Sequence, residues 1–206
     1  MTTPQPPEFD AAFREKLAEL FAWRRDVRRF RPDSVAPEIV ASLRAQADFA
    51  PSVGDSRPWR WIETGAPQRA AMKANFLRAN ADALSAYEGE QAKLYATLKL
   101  EGFDRSPLQF AVFCDRGATR GQGLGRRTMP QTLDYSVVGA IMLFWLAARA
   151  AGLGVGWVSI LDPEQARLDL GQPENFALIA YLCVGWPEEE HLDPELVRRG
   201  WVGPRR

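Results

Sequence analysis

A long apolar segment, Gln131 to Ala151, constrains the fold of this chain more than any other feature of the sequence. Apolar residues recur along it at helical spacing, for example at Val137, Ile141 and Phe144, and it contains no proline. The pattern predicts a long helix that is buried on most of its faces. The continuous apolar run from Val137 to Ala148 is shorter than the roughly 18 to 20 residues that a membrane span requires. We therefore expect a helix of the protein core.

Four shorter apolar segments are typical of strands, and they alternate with helical segments along the chain. This order favours an α+β or α/β fold. The 206 residues, 46% of them hydrophobic, suffice for one compact domain, and the chain shows no internal repeat and no obvious linker. We therefore expect a single domain over residues 1–206. The predicted strands are Trp59 to Thr64, Gln109 to Cys114, Trp157 to Ile160 and Phe176 to Val184.

The remaining helices are predicted from apolar spacing and from prolines at their ends. A first amphipathic helix spans the apolar residues from Phe9 to Phe21 and runs into an arginine cluster. Pro37 opens a second helix, and Pro51 stops it. The segment from Ala66 to about Lys99 is rich in Ala, Leu, Lys and Glu and has no proline beyond its first turn, which favours a helix. Together with its continuation to residue 105, we expect it to form a lid.

Charge and composition exclude several classes of function. Lys and Arg number 26, as do Asp and Glu, so no net field attracts the chain to nucleic acid or to an anionic membrane. The N-terminus lacks an apolar signal region, and we expect a cytoplasmic protein. The chain has a single histidine, His191, and so has few candidate residues for a His/Cys metal site or for a Ser-His-Asp triad. We expect no metal. Cys114 and Cys183 each lie in an apolar stretch and are interpreted as core residues.

Two glycine-rich segments imitate nucleotide-binding loops. Gly152 to Gly156 follows a predicted helix and precedes a predicted strand, which is the reverse of the order in a dinucleotide-binding motif. The segment Gly121 to Gly125 stands between a strand and a helix, but it lacks the Gly-Lys-Ser/Thr ending of a phosphate-binding P-loop. We interpret the first segment as a turn and the second as part of a mobile loop, 115–130.

The strongest candidate for binding an anion is the segment Arg24 to Arg29, in which four arginines surround Asp26. Several guanidinium groups within one or two helical turns can clamp a phosphate. The arginines should also favour the charged form of the Asp26 carboxylate. Taken alone, a short charge run at a helix end is more often a solvated surface, and Asp26 would then be a counter-charge.

A second candidate is the loop that follows the second helix. Prolines and a glycine shape its backbone, polar side chains supply donors and acceptors, and a tryptophan supplies an aromatic plane, which together suit a planar polar ligand. An ordinary connection between a helix and a strand remains the alternative. Ser159, in an apolar strand, needs a hydrogen-bond partner if it is buried, and a local backbone partner is the alternative to a ligand. The loop residues are Pro51, Ser52, Gly54, Asp55, Ser56, Arg57, Pro58 and Trp59.

In order and spacing, these segments resemble the nitroreductase superfamily over nearly the whole chain. The resemblance is carried by residues 24–30 (RRDVRRF), 50–54 (APSVG) with 57–59 (RPW), and 152–159 (GLGVGWVS). Within the superfamily, Asp26 stands where nitroreductases more often have serine. Asp26 and residues 181–187 (YLCVGWP) are most similar to the flavin destructases of cobalamin biosynthesis.

The resemblance implies an α+β, nitroreductase-like fold, with a mixed, mainly antiparallel sheet flanked by helices. It also implies an intertwined homodimer that binds FMN at the subunit interface. Arg24, Arg25 and Arg28 would hold the phosphate and ribityl chain, while the loop and Ser159 would contact the flavin. Arg57 departs from the family pattern, which often has Gln there. The implied FMN-binding residues are Arg24, Arg25, Asp26, Val27, Arg28, Ser52, Arg57, Pro58, Trp59, Trp157 and Ser159.

The activity implied by this resemblance consumes the flavin. Reduced FMN, supplied by a separate flavin reductase, would react with O2 and be fragmented to 5,6-dimethylbenzimidazole, with release of erythrose 4-phosphate. Asp26 would transfer a proton, Ser159 would orient the flavin, and the lid, 66–105, would exclude water. Two alternatives remain open: an NAD(P)H-dependent flavin reductase or nitroreductase in which FMN survives turnover, and a non-catalytic flavin-binding module.

Overall fold

A computed structural model describes residues 5–97 and 102–203 of the chain. Helices and strands follow one another in the mixed order that the sequence predicts, and the fold class is α+β. A short 3-10 turn, Val53–Asp55, precedes the first strand. The elements are α1 Ala11–Trp23, α2 Pro37–Ala47, β1 Trp59–Glu63, α3 Ala66–Ser85, α4 Gly89–Thr97, α5 Gly102–Arg105, β2 Leu108–Asp115, α6 Thr132–Ala150, β3 Gly154–Val158, α7 Pro163–Asp169, β4 Phe176–Gly185 and α8 Glu195–Arg198.

Within the described residues, the strands form one sheet in the order β1-β2-β4-β3. Each pair of neighbouring strands is antiparallel. The segment after α1 adds an isolated parallel bridge between Asp26 and Val155, so the sheet is mixed but mainly antiparallel, as predicted. Strands β2 and β4 occupy the centre and are largely buried, while β1 and β3 are the two edges.

The two faces of the sheet belong to two different core clusters, because successive residues of a strand point to opposite faces. On one face, Phe110 of β2 and Leu182 of β4 lie in a cluster with Ile141 and Phe144 of α6. On the other face, Tyr181 and its neighbours pack with residues of α3, α5 and α7. Helix α6 therefore forms the main layer under the sheet.

Helix α6 occupies the predicted segment and, as expected, is buried or partly buried on all sides except one. Tyr135, Val138 and Met142, spaced so that they share one side of the helix, are exposed. By length and composition alone this helix could cross a membrane. Its other side, however, is packed into the core beside the sheet. The exposed stripe is an apolar surface that the described part of the chain does not cover.

Helix α1 also has the predicted position but not the expected packing. No residue of α1 is buried within the described chain. Phe13 is 46% exposed and Phe21 is 51% exposed, although both belong to the predicted apolar face. The amphipathic pattern of α1 therefore marks a second apolar surface rather than part of the core of one chain.

The segment predicted as one helix from Ala66 to Lys99 is divided into α3 and α4. The break lies before Gly89, whose φ of 56° is accessible to glycine but costly for other residues. Asn75 anchors the first half of α3, because its side chain donates to the Asp162 carbonyl (2.9 Å) and accepts from the Asp162 amide (2.8 Å). Residues 98–101 of the predicted helix and lid lie outside the described residues.

Both cysteines are buried free thiols, as predicted. Burial raises the pKa of Cys114 and the pKa of Cys183 to about 12. Both thiols are therefore protonated at neutral pH, and a reactive thiolate is not formed at either position.

Candidate functional site

The segment containing Asp26 lies along the free edge of β3. The Val27 amide donates to the Val155 carbonyl at 3.0 Å. The Asp26 carboxylate accepts a hydrogen bond through Oδ1 from the Trp157 amide, at 2.9 Å. Backbone groups on β3 thus fix both the main chain and the side chain at this position, and Asp26 is not simply a counter-charge among arginines.

Glycines in β3 allow this close approach. A Cβ atom at Gly154 would lie 2.7 Å from Cγ2 of Val27, and one at Gly156 would overlap the Val27 carbonyl oxygen. Part of the segment Gly152 to Gly156, interpreted above as a turn, therefore belongs to β3. The predicted strand from Trp157 to Ile160 is wrong in its bounds, because β3 begins at Gly154 and ends at Val158. The glycines of β3 make room for a neighbouring backbone, which propensity alone does not indicate.

The electrostatic surroundings of Asp26 differ from the sequence expectation. The Asp26 side chain is 38% exposed. The protein atoms packed around it still raise its pKa above its ordinary value by burial, and the hydrogen bond from Trp157 and the charge of Arg28 offset this only in part. Arg28 does favour the charged form of Asp26, as expected, but burial outweighs it and the net shift of the pKa is upward. The cost of desolvating a carboxylate exceeds the attraction of a guanidinium whose Nε lies 3.4 Å away. Asp26 is consequently a carboxyl group with an increased tendency to hold a proton.

The arginines of this segment are not a freely solvated surface, because all of them are partly buried. The Arg24 guanidinium lies 5.0 Å from the centre of the Trp145 ring, which allows a cation–π contact. Arg25 donates to the Leu192 carbonyl. Arg28 and Arg29 have side chains only 14% and 19% exposed.

The acidic partners of these arginines come from the C-terminal region, which the sequence interpretation assigned no role. Glu195 lies 3.4 Å from Arg29 and 3.6 Å from Arg28, and Glu189 forms an ion pair with Arg29. Hydrogen bonds from His191 and Arg29 lower the pKa of Glu189 to about 2. The signal in the sequence was the complementarity between the arginines of 24–29 and the acidic run at 188–195, although nothing local connects the two.

The second candidate segment forms a tight, internally bonded turn. The Ser52 hydroxyl accepts from the Arg57 amide at 3.1 Å, and the Val53 amide donates to the Ser136 hydroxyl on α6 at 3.0 Å. Asp55 and Arg57 have φ angles of 51° and 44°, which non-glycine residues rarely adopt. Asp adopts this region more readily than most residues, so the strain falls mainly on Arg57, and strained backbone is concentrated at functional sites.

Individual residues of this loop differ in their access to a ligand. Arg57 is exposed, but Pro58 is buried. Trp59 is only 7% exposed, and its indole N–H donates to Asp48. The expectation that Trp59 offers an aromatic plane to a ligand is therefore wrong in the described chain. Ser56 is 4% exposed, and its hydroxyl has no hydrogen-bond partner among the described residues.

The glycine-rich segment 121–125 packs against this turn. A Cβ atom at Gly121 would overlap the Gly54 carbonyl oxygen, and one at Gly125 would lie 2.7 Å from Cγ2 of Val53. Arg120 forms an ion pair with Asp55. The glycine-rich segment 121–125, for which the sequence indicated no function, therefore packs against the loop at 52–57 and supports it.

Ser159 lies immediately beyond the end of β3 and is exposed. Its hydroxyl therefore needs no protein partner, and it is accessible to a ligand. Because it follows Trp157 by two residues, Ser159 lies at the same edge of the sheet as Asp26.

The two candidate segments lie at opposite edges of the sheet. Asp26 and Ser159 belong to the β3 edge, whereas the loop from Ser52 to Arg57 leads into β1 at the other edge. Three spacings of about 4.8 Å separate the edge strands, or roughly 14 Å. The described chain therefore does not bring the two halves of the predicted site together.

Comparison with known proteins identifies the family. The sequence model of the nitroreductase family matches residues 21–186. The chain belongs to the nitroreductase family. A family member from Rhodospirillum rubrum named 5,6-dimethylbenzimidazole synthase is 54% identical over 201 residues, which are 97% of this chain and 95% of that protein. A protein of the same name from Rhodobacter capsulatus is 50% identical over 194 residues, 94% of each chain.

Solved structures show the same nitroreductase fold at lower sequence identity. Iodotyrosine deiodinase, bound to FMN and 3-iodo-L-tyrosine, has a TM-score of 0.72 and is 21% identical, covering 85% of this chain and 91% of its own. A nitroreductase-like protein from Streptococcus mutans has a TM-score of 0.67 at 16% identity, covering 90% of this chain and 96% of its own. The predicted fold is therefore confirmed.

Proposed function

We propose that this protein is a 5,6-dimethylbenzimidazole synthase, which fragments reduced FMN in the presence of O2 and releases erythrose 4-phosphate. The observation that carries the proposal is the similarity to named synthases, at 48–54% identity over about 95% of the chain. The surroundings of Asp26 support it independently, because they provide a carboxyl group that can hold a proton beside the arginines.

The donor set fits FMN as an anionic, planar substrate. Arg24 and Arg25 would bind its phosphate, Arg28 its ribityl chain, and the turn at 52–57 its ring. The buried hydroxyl of Ser56 supports a polar ligand or partner at that turn, because an unsatisfied buried hydroxyl costs about 1 to 3 kcal/mol. Reduced flavin itself supplies the reactivity toward O2.

Asp26 and Ser159 would act on the bound flavin. A carboxyl group whose pKa is raised above its ordinary value is better suited to hold and transfer a proton. The Trp157 amide keeps the Asp26 side chain in one orientation. Ser159, exposed at the same edge, would orient the flavin through its hydroxyl. The chain's contribution is thus orientation and proton transfer.

We propose that the active form is a homodimer in which Asp26 of one protomer and the loop at 52–57 of the other form one site. The roughly 14 Å between the sheet edges supports this arrangement, because one chain does not join the two halves. Two uncovered apolar surfaces, on α1 and α6, also support it, since exposed apolar patches commonly mark interfaces. Their large exposed side chains are Phe13, Phe21, Trp23, Tyr135, Val138 and Met142.

Within the single domain, the segment 66–105 would act as a lid. Asn75 and Phe76 are buried and anchor the first half of α3. The part that moves would therefore begin beyond Phe76 and include α4. Closure would exclude water from the flavin.

Each turnover would consume one reduced FMN, so a separate flavin reductase must supply the substrate. A cytoplasmic location is consistent with two buried cysteines that remain free thiols. Neither nucleic acid nor a membrane is part of the proposed function.

The decisive experiment is to mix the protein with chemically reduced FMN under anaerobic conditions, admit O2, and measure 5,6-dimethylbenzimidazole by mass spectrometry. The proposal requires that product forms while FMN is lost in equal amount. Recovery of intact FMN, with catalytic consumption of NADPH in a parallel assay that contains NADPH, would identify a flavin reductase instead. Tight FMN binding with neither reaction would identify a binding module.

A further inference from the structure

Glu195 is a buried carboxylate surrounded by arginines. It begins the short helix α8, and its side chain is only 9% exposed. Its oxygens lie 3.6 Å from Arg28 Nε, 3.4 Å from Arg29 Nη1 and 3.5 Å from Arg199 Nε. A buried carboxylate is costly unless it is paired in this way, and removing its charge would leave the arginines underpaired.

Arg28 is shared between two carboxylates. Its Nε lies 3.4 Å from Asp26 Oδ2 and 3.6 Å from Glu195 Oε2. Neither contact is the short, two-pronged pairing of about 2.7 to 2.9 Å that an arginine makes with a single carboxylate. With a side chain that is only 14% exposed, Arg28 has little freedom to turn elsewhere. Glu195 thus competes with Asp26 for the same guanidinium.

We propose that Glu195 is a positioning residue for the reaction proposed above: it holds Arg28 back from full pairing with Asp26 and so lets the Asp26 carboxyl carry a proton. This inference rests on the proposed function only where product formation is the quantity measured. The geometry makes Glu195 a neighbour of the Asp26–Arg28 pair whether or not the flavin is consumed.

The other charged groups around Asp26 do not duplicate this role. The charge of Glu195 raises the pKa of Asp26, whereas Arg28 lowers it. Cys183, which approaches from β4, is protonated at neutral pH and therefore uncharged. The hollow beside Asp26 is also lined by charged or titratable side chains farther from it: Arg25, Arg29, Arg149, Arg198, Glu189, Glu190, His191 and Asp193.

The test compares the pH profile of product formation for the wild type, Glu195→Gln and a control, Glu189→Gln. Glu189 pairs with Arg29, and its side chain is 40% exposed. The pH profile has a limb, a range of pH over which the rate changes, that reports the titration of Asp26. It is identified as the limb that is absent in Asp26→Asn. Glu195→Gln should lower kcat about tenfold, as expected when a reacting group is mispositioned, and move this limb to lower pH. Glu189→Gln should leave the limb in place.

Two results would overturn the proposal: an unmoved limb in Glu195→Gln, or an equal displacement in Glu189→Gln. If Glu195→Gln does not fold, Glu195→Asp decides, because its carboxylate retreats from Arg28 by one methylene. It should then lower kcat and move the Asp26 limb to lower pH, and a wild-type kcat with an unmoved limb would contradict the inference.

The proposed function can fail without deciding this inference. If the wild type binds FMN but forms no product, the pH dependence of FMN affinity replaces the catalytic profile. The Asp26-dependent transition in FMN affinity should then move to lower pH in Glu195→Gln. An unmoved transition would exclude the role of Glu195 on that measurement alone.

Discussion

At the scale of single residues, Asp26 combines two environments that the sequence does not distinguish. It has arginine neighbours, which favour the carboxylate, and a position against β3, where loss of water favours the protonated acid. The balance depends on how deeply the side chain is covered. A sequence can identify the arginines, but burial arises from the packing of β3, β4 and α8, which are distant in the chain.

We expect Asp26→Asn to bind FMN but to lose product formation by about a hundredfold or more, the size of a lost proton transfer. The amide oxygen can still accept from the Trp157 amide, so the local structure should persist. Product measurement by mass spectrometry and FMN titration by fluorescence check the two halves of this prediction. Asp33→Asn is the matched control, because Asp33 pairs with Arg31 at the surface and should retain full activity. Unimpaired product from Asp26→Asn would remove this residue from the mechanism.

The same substitution has a pH signature in stability. Because the folded-state pKa of Asp26 is raised above 3.8, the folded chain holds its proton to higher pH than the unfolded chain does. Stability is therefore lost as pH rises through that interval, and the cost persists at neutral pH. Asp26→Asn removes the cost, so its free energy of unfolding at pH 7 should equal or exceed that of the wild type. This outcome also shows that lost activity does not reflect unfolding.

At the scale of elements, β3 depends on glycines that propensity disfavours in a strand. We expect Gly156→Ala to destabilise the protein by about 2 kcal/mol, because the new methyl group would overlap the Val27 carbonyl oxygen. The segment with Asp26 would be displaced from β3, and FMN affinity should fall. Gly203→Ala is the control, since no atom of the described residues lies within 4 Å of a Cβ atom there. Chemical denaturation measures both variants, and equal stability would contradict the proposed close approach.

Most elements could be predicted from the sequence because their signals are local. Apolar spacing identified α1 and α6, and the strands at Trp59, Gln109 and Phe176 followed from their apolar composition. The start of β3 could not be predicted, since it depends on Val27 packing from more than 100 residues away. The site residues stay a prediction, and Trp59 among them is turned into the core.

At the scale of the whole molecule, the placement of the two candidate segments at opposite edges was beyond prediction from the residues, because strand order is set by long-range pairing. The family resemblance alone implied a site between subunits. The two uncovered apolar surfaces on α1 and α6 give that implication a physical basis in this chain.

We expect sedimentation analysis to show a dimer, and Phe13→Glu to weaken its association by about a hundredfold, because a charge would be placed in an apolar interface. FMN affinity should fall in parallel, because the proposed site takes residues from both protomers. Leu168→Glu is the control: Leu168 is 56% exposed on α7, away from both surfaces, and this variant should remain dimeric. A monomer that binds FMN with full affinity would contradict the shared site.

The separation of Asp26 from the turn at 52–57 has a genetic consequence. If each site takes one segment from each protomer, a chain defective at Asp26 and a chain defective at Ser52 can form a mixed dimer. In that dimer, both defects meet in one site and leave the other site intact. Two alleles that are inactive alone should therefore complement each other when expressed in the same cell, whereas two alleles altered in the same segment should not.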